Sequence, residues 1–503
     1  MSGSVFALAA LVALTSASPA ATAPVPVVVV PGLELADLEQ LQARGAVGLL
    51  VPAAGPRTSG AQARAALVRG EMRNSLRGGI PSGPVLIGLR TAASPPERGP
   101  AIVLGLPNGG EQANNRRYPI AVLGAGYRGL LTSDSTRIPG LVSIVDVAPT
   151  ALGRSDRLGW EAREGAGAHL RELDSRVREN GRARIVGVWV TLLVLGGLAF
   201  LFPRAAVLGF GAVLAANLAL GVAEVSAPVV VVALALATVI GGSVLAHRLR
   251  TPAWVAAAFV VVLAAYLLAF ALDGSWLALS PLGPSQNARF YGLSNLLETI
   301  LLVPAFAGAV LAKRLGWAGF AAVAGLSLVL VSGSRFGADG GGAIVLAVGY
   351  VVLGVVLAGA SRRAVVLAAA VAGALVLALV GLDVLTGASS HVTESLAGGP
   401  EELAGDLAGR VELSVRRVLD AWYVALIVIT AILALMLLAL RTLRRPLPRP
   451  ARALLLSFAA AIGASLIVND SPLEVSVTGL VGFLSLAAYA RAEGELAGPS
   501  SEP

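Results

Sequence analysis

From residue 185 to 491 the chain alternates apolar runs of about 18–22 residues with short polar joints, and runs of that length cross a bilayer as helices. Eleven such runs are read, at roughly 185–202, 205–222, 228–246, 252–272, 294–312, 316–333, 342–360, 364–385, 420–440, 452–469 and 474–491. Upstream the period changes. Apolar runs of strand length recur at 25–30, 46–53, 83–90, 100–107 and 118–124, alternating with helically spaced stretches at 33–43 and 61–72. That alternation predicts an α/β domain with a mainly parallel sheet covered by helices. Residues 154–184 carry charges of both signs and predict a helical stalk leading into the membrane.

Residues 1–23 hold a short apolar stretch followed by small residues, the pattern of a signal peptide or an uncleaved N-terminal anchor, although no Lys or Arg precedes it. The expected organisation is therefore a signal or anchor (1–23), an exported α/β domain (24–153), a stalk (154–184), a transmembrane bundle (185–491) and a cytoplasmic tail (492–503). The fold class is a polytopic α-helical membrane protein of about 11 spans with an N-terminal exported α/β domain.

Composition narrows the chemistry. The chain is 56% hydrophobic and 14% charged, which excludes an ordinary soluble enzyme. With no cysteine, disulfides, thiol nucleophiles and thiolate metal sites are excluded. Three histidines leave little for a histidine-rich metal centre, so no metal and no cofactor are expected. Arginine supplies all of the 38 basic residues but one, Lys313, a bias of high-GC bacterial coding rather than a sign of nucleic acid. Arg204, Arg248, Arg250, Lys313, Arg314, Arg362, Arg363 and the cluster Arg441–Arg452 fall in alternate joints. The positive-inside rule then puts those joints in the cytoplasm and the α/β domain outside, in a bacterial cytoplasmic membrane.

The outward joints differ in character: 273–295, 332–342, 389–420 and 468–472. Ionisable residues in or beside spans are costly and point to function. Arg289, Arg335, Arg410, Arg416 and Arg417 could bind a phosphate or pyrophosphate, because guanidinium pairs bidentately with such oxyanions. Glu298, one turn inside an apolar span, and Asp339 could act as acid or base. His391, the histidine beside this cluster, has the intrinsic pKa of a proton shuttle. Tyr291, Asn295, Asn469 and Asp470 complete the candidate substrate contacts. Charges that merely snorkel to the interface are the competing explanation for each of these residues.

The stretch RFYGLSN (289–295), followed by SGSRFGADGGGAIVL (332–346) and by Gly409-Arg410 in a long outward joint, resembles the O-antigen ligase and polymerase family. Members are polytopic and act outside the membrane on polyprenyl-pyrophosphate-linked sugars. The resemblance covers about 130 residues and implies that Arg289 and Arg335 contact pyrophosphate and that His391 is the base.

Two stretches of the exported domain, VVVVPGLELADL (27–38) and YPIAVLGAGYRGLLTSDSTRIPGLVSIVDVAPTALG (118–153), resemble the alkaline phosphatase and sulfatase superfamily. The metal-binding aspartate of the first turn is replaced by Pro31 or Gly32, and the His-containing metal motifs are missing. Thr58 or Ser59 falls in the nucleophile region, but a two-metal phosphatase needs ligands to activate it. The resemblance thus implies a degenerate pseudoenzyme domain without phosphatase activity. Gly124, Gly126 and Gly129 spell GxGxxG with Asp146 downstream, but a dinucleotide site requires a helix to open there, and GLLTSDSTRIPG reads as strand and turn. If this domain binds a ligand, the loops at 107–117 and 132–137 are the places to look.

Three functions follow. The first is a glycosyltransferase- or ligase-like enzyme of the cell envelope acting on a membrane lipid or polyprenyl-linked substrate. The second is a transporter or flippase of an envelope lipid precursor. The third is a non-catalytic scaffold that recruits envelope-assembly proteins. No nucleic acid partner is expected.

Overall fold

A computed structural model describes residues 24–72, 74, 76, 83–155, 157–284, 290–333, 336–337, 340–359 and 400–496. The N-terminal domain is built on a sheet of eight strands: β1 (Val27–Val29), β2 (Gly45–Val51), β4 (Leu89–Thr91), β5 (Ala101–Leu104), β7 (Tyr118–Leu123), β8 (Gly129–Ser133), β9 (Leu141–Ser143) and β10 (Leu158–Glu161). Their order is β10-β8-β2-β7-β5-β1-β4, with β9 also paired to β2. A small ribbon joins β3 (Arg57–Thr58) to β6 (Gln112–Ala113).

The sheet is mixed rather than mainly parallel. β1 runs parallel to β4 and β5, and β2 to β8 and β9, but β7 is antiparallel to both β2 and β5, and β10 to β8. Because β7 pairs antiparallel with β5, the chain passes between them without a crossover helix. Alternate residues of each strand feed two cores. Val27 and Val29 face α2 (Gly60–Arg69) and α3 (Val147–Ala151), while Val28 and Val30 face the opposite side. Residues 158–161, within the stretch read as stalk, form the edge strand β10.

That opposite side is covered by α1 (Leu38–Gln42) and by the first turns of α4 (Ala166–Leu201), through Ala166, Leu170, Leu173 and Val177. One 36-residue helix therefore closes the α/β core and then continues into the bundle. The domain is welded to the bundle, not tethered to it.

The bundle continues with α5 (Pro203–Val222), α6 (Pro228–Arg248), α7 (Pro252–Leu272), the short α8 (Ser275–Ala278) and α9 (Asn295–Ala312). After these come α10 (Trp317–Ser332), α11 (Gly340–Ala358), α12 (Pro400–Leu419), α13 (Trp422–Arg444), α14 (Arg449–Val468) and α15 (Pro472–Leu496). Among the described residues nine helices are long and apolar enough to cross a membrane, so the chain is a membrane helical protein with an N-terminal α/β domain. The run expected at 316–333 is a shorter apolar helix of 16 residues, and the run at 364–385 lies outside the described residues. α9 is the central helix: it is the most buried of these spans, and Phe306 on it packs edge-on against Tyr350 and Phe458. Arg204, Arg248, Arg250, Lys313, Arg314 and Arg441–Arg452 gather at the helix ends away from the domain, where the Arg204 guanidinium donates to the Leu249 carbonyl.

Candidate functional site

At the domain-bearing end, two helix termini meet. α9 begins at Asn295, capped by Ser294, whose hydroxyl accepts from the Leu297 amide at 3.2 Å. α14 ends at Val468, and residues 469–471 form the break between two spans before Pro472 starts α15. Pro472 lacks an amide hydrogen and is tolerated in the first turn of a helix, which is why the break falls here.

Glu298 lies one turn into α9 with no exposed surface. Its Oε2 accepts from Asn469 Nδ2 at 3.1 Å, and the same amide donates to Ser465 Oγ at 2.9 Å. Asn469 is itself buried, and its Oδ1 has no hydrogen-bond partner among the described residues. Gly342, at the start of α11, lets the carboxylate approach: a Cβ there would come within 3.0 Å of Glu298 Cδ. Next along the break, Asp470 Oδ1 accepts from Asn295 Nδ2 at 3.1 Å.

α12 closes this end from the side. Arg417 Nη2 sits 3.2 Å from Asp470 Oδ2, and its Nη1 donates to the Asp470 carbonyl at 2.6 Å. Ser414 Oγ donates to the Asn469 carbonyl at 2.9 Å, and Arg410 reaches the Val468 carbonyl at 3.5 Å. Arg184 of α4 pairs with Glu474 at 3.5 Å beside the break. The bonds from Arg410, Ser414 and Arg417 occupy backbone carbonyls at the end of α14 and in the turn after it.

The candidates Glu298, Asn295, Arg410, Asn469 and Asp470 are thus brought together. Tyr291 is not with them: its ring lies under the guanidinium of Arg137, 4.2 Å away, in the β8–β9 loop of the α/β domain. Arg289, Arg335, Asp339 and His391 lie outside the described residues. Arg417, Ser414 and Ser465 join the site; the spacing of Ser465 and Asn469, four apart where α14 ends, is the signal in the sequence.

In the joint at 273–295, the described segment after α7 packs inward. Leu277, Ala278, Leu279, Ser280 and Leu282 are buried. Asn217 holds the segment, donating to Ser280 Oγ at 3.0 Å and accepting from the Leu282 amide at 2.9 Å. Asn180 of α4 donates to the Leu279 carbonyl at 2.9 Å. Ala278, Leu279 and Phe290 join the core of the α/β domain itself. Arg117, 8% exposed, lies over the Phe290 ring at 5.2 Å, and burial lowers its pKa to about 10 against the opposing pull of Asp174 and Tyr118.

Within the α/β domain the GxGxxG stretch forms the turn between β7 and β8, and no helix opens from it. Gly129 starts β8 at φ +85°, where a Cβ would press on the Glu161 carbonyl of the neighbouring chain segment. Asp146 is fully buried, accepting from Ser133 Oγ at 2.5 Å and from Ser135 Oγ at 2.8 Å and lying 3.7 Å from Arg157. Its role is to clamp the β8–β9 connection. The loop at 107–110 packs over the start of α2, where the Gly60 amide donates to the Gly109 carbonyl at 3.3 Å. Ser59 is the N-cap of α2, and Thr58 is buried behind it. No group of three or more His, Asp or Glu converges among the described residues. The sequence matches no family model, no curated protein and no solved structure.

Proposed function

We propose that this chain binds a polyprenyl- or lipid-linked phosphorylated glycan at the domain-bearing end of its bundle and transfers the glycan to an acceptor hydroxyl. The carrying observation is Glu298, a carboxylate with no exposed surface one turn inside an apolar helix, held by Asn469 at a helix break. An ionisable group kept at such cost is by default functional. Arg410 and Arg417 on α12 bring guanidinium groups to the same break, and Arg289 and Arg335 add two more in the neighbouring segments of sequence.

In this reading the acceptor oxygen bonds to the anomeric carbon as the bond from that carbon to the phosphate oxygen breaks. The hydroxyl proton passes to a carboxylate or imidazole, with Glu298, Asp339 and His391 as the candidates, and the lipid pyrophosphate leaves as an anion held by arginine. The chain crosses a bacterial cytoplasmic membrane eleven times, counting Trp317–Ser332 and 364–385, with the α/β domain outside and the C-terminus in the cytoplasm. The basic residues at the helix ends away from the domain support that orientation. The α/β domain is a non-catalytic, phosphatase-like module that shapes the outer face.

A flippase reading shares this cluster, and the buried Glu298 supports it as well, since carboxylates inside a bundle mark proton relays in transporters. Native mass spectrometry of the detergent-purified protein tests both. A co-purifying polyprenyl phosphate that is lost in the Arg289→Ala/Arg335→Ala variant, with melting unchanged, is the expected result. Retention of that lipid in Glu298→Gln, with glycan transfer abolished, selects the transferase. Only bulk phospholipid in the wild type, or a polyprenyl species indifferent to both arginines, overturns the site.

A further inference from the structure

On the outer flank of α12, away from Glu298, a cleft of about 310 Å3 separates the β3–β6 ribbon of the α/β domain from the C-terminal end of that helix. Its charged lining is balanced, Arg57 and Arg416 against Glu111 and Asp420. Arg57 and Glu111 stand 3.8 Å apart with both side chains more than half exposed. Arg416 pairs with Glu412 at 2.8 Å and also donates to the Leu76 carbonyl at 3.1 Å, so it bridges the helix to the domain. Exposed pairs of this kind are weakly held, so a ligand that brings both charges can replace them at little cost.

The position of the cleft says where such a ligand comes from. Leu419 on its rim is 71% exposed, and Trp422 and Tyr423, 78% and 56% exposed, open α13, the least buried of the nine spans. Val411, Val415 and Leu419, four residues apart, form an exposed apolar stripe along α12. Exposed aromatic residues at the start of a lipid-facing helix mark the bilayer interface. The mouth of the cleft is therefore at headgroup level.

We propose that this cleft binds the headgroup of a phospholipid carrying a primary amine, of the phosphoethanolamine type. Arg57 and Arg416 take the phosphodiester, for which guanidinium is suited. Glu111 and Asp420 take the ammonium, whose three N–H donors match carboxylate acceptors. A quaternary ammonium would call for an aromatic cage, and the lining holds no aromatic ring. Leu76 and Leu419 flank the glycerol end. A bound lipid would hold α12 against the domain, and the opposite face of that helix carries Ser414 and Arg417 to the break at 469–471. The site stands apart from the glycan reading and does not depend on it.

The test uses the full chain extracted from vesicles containing equal amounts of phosphatidylethanolamine, phosphatidylcholine and phosphatidylglycerol with identical acyl chains. Native mass spectrometry then counts the retained lipids. Preference for the ethanolamine lipid by about fivefold or more is expected, the ratio given by about 1 kcal/mol of extra headgroup pairing. Glu111→Gln/Asp420→Asn should reduce that lipid to the level of the choline lipid. Arg57→Gln alone, which leaves the α12 bridge intact, and Arg57→Gln/Arg416→Gln should lower both. Competition by free phosphoethanolamine would identify a water-soluble source for the same chemistry, and its failure against a retained lipid would identify the membrane. Equal retention of all three lipids, a preference for phosphatidylglycerol, or a preference unchanged in every variant overturns the proposal.

Discussion

Replacing Arg117 with methionine is expected to stabilise the junction between the α/β domain and the bundle. The guanidinium is buried over Phe290, donates to the Arg116 carbonyl at 3.2 Å, and has no hydrogen-bond partner for Nε among the described residues. Burial lowers its pKa well below the usual guanidinium range, to about 10. A pKa depressed that far makes the charged form about 3 kcal/mol less favourable than in water. A desolvated cation over an aromatic ring returns up to about 2 kcal/mol. The balance leaves the cation about 1 kcal/mol unfavourable, while methionine keeps an unbranched chain and a sulfur–aromatic contact on the same ring.

Thermal unfolding in detergent is expected to show a Tm gain of about 2–4 °C for Arg117→Met. Arg117→Ala, which also removes the packing, is expected to lose about 1–3 kcal/mol. Alkaline pH gives an independent check. The folded state releases this proton before the unfolded state does, so wild-type stability rises with pH above about 10. The gap to the methionine variant should therefore narrow as the pH rises through the alkaline range. A methionine variant less stable by more than about 1 kcal/mol near neutrality, or a gap that widens as the pH rises, would refute the reasoning.

Other perturbations have equally definite outcomes. Gly129→Ala, strained in φ and pressed on the Glu161 carbonyl, should cost about 2 kcal/mol or more in thermal unfolding. Gly126→Ala, at φ +83° in open space, should cost only about 1 kcal/mol, and equal losses would contradict a steric role for Gly129. Asp146→Asn should destabilise the domain by about 2–4 kcal/mol, because it disrupts a buried carboxylate accepting several donors; a loss below about 1 kcal/mol would count against the clamp. Asn469→Ala and Glu298→Gln should be non-additive, with a coupling of about 0.5–3 kcal/mol in a double-mutant cycle. Additive losses would mean that the two side chains do not act as a pair.

Much of the architecture is legible in the sequence because it rests on local length and period. Apolar runs of span length, strand-length runs alternating with helical ones, and basic joints every second turn need only a chain segment and its solvent. The absence of a dinucleotide fold at Gly124–Gly129 was legible for the same reason, since a strand pattern follows directly. Glu298 was visible as a charge inside an apolar helix. Its partner was harder to see: Asn469 is 171 residues away, and only the packing of α9 against α14 brings the two together.

Strand direction, by contrast, depends on long-range pairing, so a central antiparallel β7 leaves no local mark. Residues 400–419 combine charges with an apolar stripe at 411, 415 and 419, and what makes them a side wall of the site is the hydrogen bonding of Ser414 and Arg417 to the broken end of α14. The joint after α7 is polar in composition, yet its residues 277–282 are buried, with Asn180 and Asn217 bonding the Leu279 carbonyl and the Leu282 amide. The sequence by itself determined which segments prefer lipid and which fold as a sheet, because those preferences follow from hydropathy and periodicity. Tertiary structure alone decided that α4 serves both, that Tyr291 belongs to the domain contact, and that Glu298, Asn469, Asp470 and Arg417 share one place. Each of those depends on buried polar groups finding partners far away in the chain.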